Sequence, residues 1–215
     1  DAEHNNFDKE GEWNELDDSK LTQCYYKDNI QNGPYKIYNY GVLIASFNLK
    51  QGAPDGMGYQ YSIATNDKDS ILTASAMLAN GKQNGQRKFY NNSGILTEES
   101  SLNDSYFDGE VRRYDDQGHL SDIQHYTSGN EDGQQQSFFA NGQLQRDYTV
   151  GKKGEKTSYM DYYATGKINA EGTIKDGNRV DTWKYYYANG VLSELYHFND
   201  EGKMDGEQLR YYRNH

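Results

Sequence analysis

The sequence predicts an all-β fold, an elongated single-layer antiparallel β-meander built from about seven or eight 24-residue hairpin repeats. Three observations predict it. Glycines recur at a constant step of 24 residues, at Gly94, Gly118, Gly142, Gly166 and Gly190. Apolar and aromatic residues stand at fixed, even offsets from each of them, the spacing of strands. No helical period of useful length runs through the chain, and 2 Pro leave long strands uninterrupted.

Residues 1–20 hold eight acids (Asp1, Glu3, Asp8, Glu10, Glu12, Glu15, Asp17, Asp18) against two lysines, which is -6 of a formal charge of -11. Residues 1–24 therefore read as an acidic N-terminal arm or cap, and residues 25–215 as the repeat domain. Gly33, Tyr38, Gly41 and Leu43 form a first copy with a turn one residue shorter. Residues 56–84 form a degenerate copy with an insertion, after which Gly81 and Gly85 resume the rhythm. The five clean copies follow. Gly206, Tyr211 and Tyr212 begin a last one that stops at His215.

Each copy reads as two strands with a Gly turn between them. The residue before the turn Gly is Ser93, Gln117, Asn141, Thr165 or Asn189. Such a mixture does not suit a two-residue type I′ turn, which needs positive φ at both central positions. A type I turn closed by a left-handed Gly fits, giving a three-residue loop with a bulge. That register puts Tyr90, Tyr114, Phe138, Tyr162 and Tyr186 on one face with Leu96, Leu120, Leu144, Ile168 and Leu192. The column eight after each Gly (Leu102, Tyr126, Val150, Ile174, Phe198) is expected there too, so this face is the expected core, with Phe138 among its centres. The links between copies are expected at Asp132-Gly133 and Asp176-Gly177. A barrel or propeller is the alternative, although a propeller blade takes roughly 40 residues.

Leu, Ile, Val and Phe make up 34 of 215 residues, below the roughly 20% at which charged chains tend to be disordered. The 21 Tyr point instead to a Tyr-based core. A basic stripe is absent, so nucleic acid is not an expected partner, and anionic membrane surfaces are disfavoured. No apolar stretch is long enough for a transmembrane helix. A cationic protein site is the electrostatic complement of the acidic arm, and a solvated tail is the plainer reading. Cys24 is the single cysteine, which excludes an intrachain disulfide. The chain starts at Asp1 without Met, as a mature exported protein, a processed lipoprotein or a trimmed chain would. The compartment expected is the bacterial periplasm, ahead of the cytoplasm.

No catalytic motif, metal set or cofactor loop emerges, so neither enzymatic activity nor a cofactor is expected. Gly56-Met-Gly58 reads as a turn in the degenerate copy. Cys24 has no His near it in sequence to activate it. His119 and His125 lie about 20 Å apart along one strand, too far to share a metal. Asp115, Asp116 and Asp122 lack the order of a calcium loop and read as turn acids. The second face is polar in early copies (Arg87, Arg113, Asp115, Ser137) and aromatic in late ones (Phe139, Tyr159, Tyr163, Trp183, Tyr185, Tyr187). It is either an exposed binding patch or a set of rows packed on each other.

Units such as Asp181-Thr-Trp-Lys-Tyr-Tyr-Tyr-Ala-Asn-Gly-Val-Leu192, with links such as Gly81-Lys-Gln-Asn-Gly85 and Gly202-Lys-Met-Asp-Gly206, resemble the MORN-repeat variant of bacterial proteins. The resemblance covers roughly residues 33–212, with Thr157 and Asp181 in place of the family's Gly. It implies elongated sheets and, for many bacterial members, an antitoxin or immunity role beside secreted toxins. Other members are scaffolds for protein or membrane-adjacent assembly. The expectation carried forward is an immunity protein that binds and neutralises a cognate secreted toxin with a cationic site, a nuclease or phospholipase. Tyr163, Trp183, Tyr185 and Tyr187 are its expected anchors, and Glu10, Glu12, Asp17 and Asp18 its steering charges.

Overall fold

The computed structural model describes residues 8–65 and 68–212. They divide into two units, one ending at Tyr106 and the other starting at Phe107. Asp1 and Glu3 of the acidic segment, and the His215 end, lie outside the described residues. In the first unit the strands are β1 (Gly11–Asp17), β2 (Lys20–Lys27), β3 (Ile30–Asn39), β4 (Val42–Lys50), β5 (Ala53–Pro54), β6 (Gly56–Ile63), β7 (Ser70–Ala79), β8 (Lys82–Tyr90) and β9 (Leu96–Asn103). Consecutive strands pair antiparallel, except that β4 pairs with both the two-residue β5 and β6. The second unit holds β10 (Tyr106–Tyr114), β11 (Leu120–Thr127), β12 (Asn130–Phe138), β13 (Leu144–Val150), β14 (Lys156–Tyr162), β15 (Ile168–Lys175), β16 (Asn178–Tyr186), β17 (Leu192–Phe198) and β18 (Leu209–Arg210). Here too each strand pairs antiparallel with the next. Both units are the all-β antiparallel meander that the repeat predicts.

The turns have the expected geometry. The Gly142 N–H donates to the Phe139 carbonyl at 2.8 Å, and the Phe139 N–H donates to the Gln143 carbonyl at 2.8 Å. The same two bonds close the loops at Gly94, Gly118, Gly166 and Gly190, and all five glycines have φ between 76° and 91°. The upstream copy has instead a two-residue turn, Tyr40-Gly41, with φ of 48° and 79°, which accounts for its missing residue. The insertion in the degenerate copy falls between the end of β6 and the start of β7, and Gly56-Met-Gly58 is strand and not turn. Among the links, Asp176-Gly177 is a two-residue turn, as expected. Asp132-Gly133 is not a link. The turn is Ser128-Gly129, with positive φ at both residues, and Asp132-Gly133 lies inside β12 at an irregularity in its pairing with β11.

Bulges also correct the expected core. Tyr114 faces Leu120, Phe138 faces Leu144 and Tyr162 faces Ile168, so these two columns do share a face. However, the register shifts between Arg113 and Tyr114, Ser137 and Phe138, and Asp161 and Tyr162. An extra residue on one strand reverses the alternation beyond it. The third column therefore lands on the opposite face, where the Tyr126 hydroxyl donates to Gln124 and the Arg113 guanidinium donates to the same side chain. That opposite face also carries most of the deeply buried residues. Cys24, Ser100, Val111, Gln135 and Trp183 are all at most 4% exposed, whereas Phe138 is only half-buried.

These residues form one cross-strand row in each unit. In the first, Trp13, Cys24, Tyr35 and Phe47 face one another from β1 to β4, and Gly58, Ala76, Arg87 and Ser100 from β6 to β9. In the second, Val111, Gln124, Gln135, Tyr148, Tyr159 and Gly172 run from β10 to β15, and Trp183 faces Tyr196. A side chain of the row also repairs the ladder. Where β12 bulges, His125 has no partner on that strand, and the buried Gln135 amide donates to the His125 carbonyl at 3.0 Å and accepts from its N–H at 3.3 Å. Trp183 Nε1 donates to the Thr173 carbonyl at 3.0 Å, and Gln208 Nε2 to the His197 carbonyl at 3.2 Å, at the matching place of later copies. Buried backbone groups need such partners. β14, with Thr157 at the position that is Gly85, Gly109 or Gly133 in earlier copies, pairs with β13 over three residues only, Arg146–Tyr148 with Tyr159–Asp161.

Successive turns are tied to each other as well. Asn141 Nδ2 donates to the Ala164 carbonyl at 3.0 Å, the Tyr163 hydroxyl to the Tyr186 carbonyl at 2.6 Å, and the Tyr187 hydroxyl to the Tyr211 carbonyl at 2.8 Å.

Candidate protein-binding face and groove

In the second unit the rings of the row and of the neighbouring Tyr185 pack against one another, tilted or edge-on. Centroids are 6.0 Å apart for Tyr148 and Tyr159, 5.1 Å for Tyr159 and Trp183, 6.3 Å for Trp183 and Tyr185, and 5.7 Å for Tyr185 and Tyr196. The chain folds this way because Gly172 stands between Tyr159 and Trp183. A Cβ there would lie 2.3 Å from the indole, so the ring lies directly on the backbone. Three arginines crown the row. Arg146 reaches Asp161 at 2.8 Å and lies 5.5 Å from the Tyr159 centroid. Arg179 lies 4.8 Å from the Trp183 ring and 6.0 Å from Tyr185. Arg210 Nε donates to the Tyr196 hydroxyl at 3.1 Å. Burial, with a hydrogen bond to Asp161, pushes the Tyr159 hydroxyl up to about 12.

Of the aromatic anchors read from the sequence, the structure brings only Trp183 and Tyr185 together in this row. Trp183 is 1% exposed, which corrects its role, since a side chain already packed on Gly172 has no surface left for a partner. Tyr163 and Tyr187 stand at the first position of their turns, where their hydroxyls hold the next turn. Reading missed Tyr148 and Tyr196, which belong to the column six after the turn Gly. Only the bulge puts that column on this face.

The acidic segment is folded from Gly11 onward as the β1–β2 hairpin, and β2 runs across the 24/25 boundary drawn from the sequence. Glu10 accepts from the Asp28 N–H at 2.9 Å. Glu12 is exposed on β1, while Asp17 and Asp18 lie at the turn, with φ of 49° at Asp18. At about 3.4 Å per residue the two pairs of acids lie some 20 Å apart, so they form two charged ends and not one patch. Cys24 is buried among Trp13, Tyr26 and Tyr35, and burial raises its thiol, which disfavours the reactive thiolate. His119 binds Asp115 at 3.0 Å, and His125 Nδ1 lies 2.7 Å from the Gln134 carbonyl. Among the described residues no three His, Cys, Asp or Glu side chains are placed to hold a metal ion.

The first unit carries a groove of about 590 Å³ on the row's face. Its walls are Phe47, Leu78, Phe89 and Arg87, and its floor is Gly58, Ala74 and Ala76. Arg87 donates to Glu98 at 2.7 Å, and its guanidinium lies 4.7 Å from the Phe89 centroid. The signal for this groove was present in the degenerate copy, as small residues at row positions, but it is readable only once the strands are in register.

A family model described as MORN repeat variant matches residues 131–150 and 182–200, which identifies these stretches as repeats of that kind. No curated protein matches the chain.

Proposed function

We propose that this chain, which carries MORN repeats, is a non-catalytic protein-binding scaffold whose partner is a secreted bacterial toxin, inactivated by being bound. One observation carries the binding role. Half-buried Tyr148, Tyr185 and Tyr196 flank a buried Trp under Arg146, Arg179 and Arg210, and aromatic and arginine side chains are those enriched at the centres of protein interfaces. The toxin identity is supported by the sequence resemblance to bacterial immunity proteins. The exposed Glu12, Asp17 and Asp18 steer the encounter with a cationic partner.

The test is co-expression of the full chain with the product of the gene beside its own, scoring survival and calorimetric binding. Rescue and binding are expected. Tyr185→Ala combined with Arg179→Ala should weaken binding by about tenfold or more with the circular dichroism unchanged. Neutralising Glu12, Asp17 and Asp18 should slow association in a salt-dependent way and leave dissociation alone. A neighbour that is not toxic, with pull-downs returning only the chain itself, would replace the toxin reading by assembly scaffolding.

A further inference from the structure

We infer that the groove over Gly58 and Ala76 receives one aromatic side chain, Trp or Tyr, from the bound protein, an assignment that rests on the protein-binding reading above. The row has the same construction in both units. In the second unit the one small residue among the rings, Gly172, is covered from within the chain by Trp183. In the first unit Tyr35 and Phe47 stack with centroids 4.9 Å apart, and then the row meets two small residues side by side, Gly58 and Ala76. The next member is Arg87, which brings no ring. Gly58 is covered by Leu78 and not by a ring, and the groove is the space left open beside it over Ala74 and Ala76.

The walls suit a ring better than an aliphatic chain. Phe47 offers a face for stacking at one side. At the other, Glu98 and Gln83 hold the Arg87 guanidinium at 2.7 Å and 3.3 Å, with the Arg87 side chain 16% exposed, so a fixed cation faces the space. A cation beside an aromatic face is attractive, and more so when desolvated. Leu78 Cδ1 already lies 2.8 Å from the Cβ position of Gly58, so the open part of the floor is the small side chains of Ala74 and Ala76 beside it. The volume of about 590 Å³ holds a ring together with part of the backbone that carries it.

The full chain, labelled for amide NMR, is titrated with N-acetyl-tryptophanamide and with N-acetyl-leucinamide. Saturable shifts are expected at Gly58, Ala76, Arg87 and Phe89, with the tryptophan probe bound roughly fivefold more tightly. Ala76→Phe fills the groove from within, as Trp183 does over Gly172. It should abolish those shifts, keep the unfolding midpoint at or above that of the parent, and weaken toxin capture about tenfold. Should that variant not fold, Phe47→Leu keeps the wall apolar and removes the stacking face. It should weaken the tryptophan probe and leave the leucine probe unchanged. Scattered or absent shifts, or equal binding of both probes, overturn the assignment even if the toxin is captured. A co-purified small aromatic compound that the probe displaces would overturn the partner side chain as occupant. A groove that takes the tryptophan probe while no neighbouring gene product is bound removes the toxin reading and leaves the ring site standing.

Discussion

A Cβ at Gly142 would meet nothing within 4 Å, yet the residue sits at φ 80°, where any side chain is strained. Gly172 is the reverse case, with ordinary backbone and an indole 2.3 Å from the Cβ position. Gly142→Ala should therefore cost about 1–2 kcal/mol by chemical denaturation, the usual price of the left-handed region. Gly172→Ala should cost at least as much through crowding, and the loss should shrink when Trp183→Ala is added, because the two residues share one space. Tyr159 makes a pH prediction. Its folded pKa, about 12, is above the usual value near 10, because burial and the bond to Asp161 favour the protonated hydroxyl. The resulting stability is fully present below about pH 10 and is lost as pH rises toward about 12. Urea unfolding across that window should show a decline that is shallower in Tyr159→Phe, with the phenolate absorbance of that variant losing one late-titrating hydroxyl and keeping that of Tyr186.

At the scale of the strand, bulges decide which residues count as interior. Gln135 is 1% exposed and polar, yet it holds both backbone groups of His125. Gln135→Leu should destabilise by roughly 1–3 kcal/mol, the cost of leaving buried backbone groups unpaired. Gln208→Leu, at an exposed position of the last copy, should cost far less, and the contrast is measurable by denaturant titration. The strands, the five Gly loops and the pairing of Tyr with Leu were legible in the sequence, because glycine and alternating side chains express local backbone geometry directly. What was not legible is the parity beyond each bulge. An inserted residue moves Leu102 and Tyr126 to the other face without changing their identity, so the deeply buried row is hidden from a count of offsets. Trp183 illustrates the same limit. Its type suggests an anchor, and only the register shows Gly172 beneath it.

Across the whole chain, strands within each unit pair almost entirely with their neighbours in sequence, so stability is a sum of local terms. The ties between turns have a consequence for how such a chain can change in length. Asn141 reaches Ala164 and Tyr163 reaches Tyr186, each a span of 23 residues, so these copies are gauged against the ones that follow. Duplication or loss of one full period keeps each donor opposite an equivalent acceptor, whereas an indel of another size placed between a donor and its acceptor throws the ties that span it out of phase. Excision of residues 143–166 would join Gly142 to Lys167, place Phe138 opposite Ile168, and offer Asn141 the carbonyl of Ala188 in place of that of Ala164. This shortened chain should fold with a β-type circular dichroism spectrum and a cooperative unfolding transition, while excision of 143–165, one residue fewer, should not. Genes of this type are thereby free to lengthen or shorten by recombination in quanta of 24 codons, each step adding or removing one pair of strands at a time.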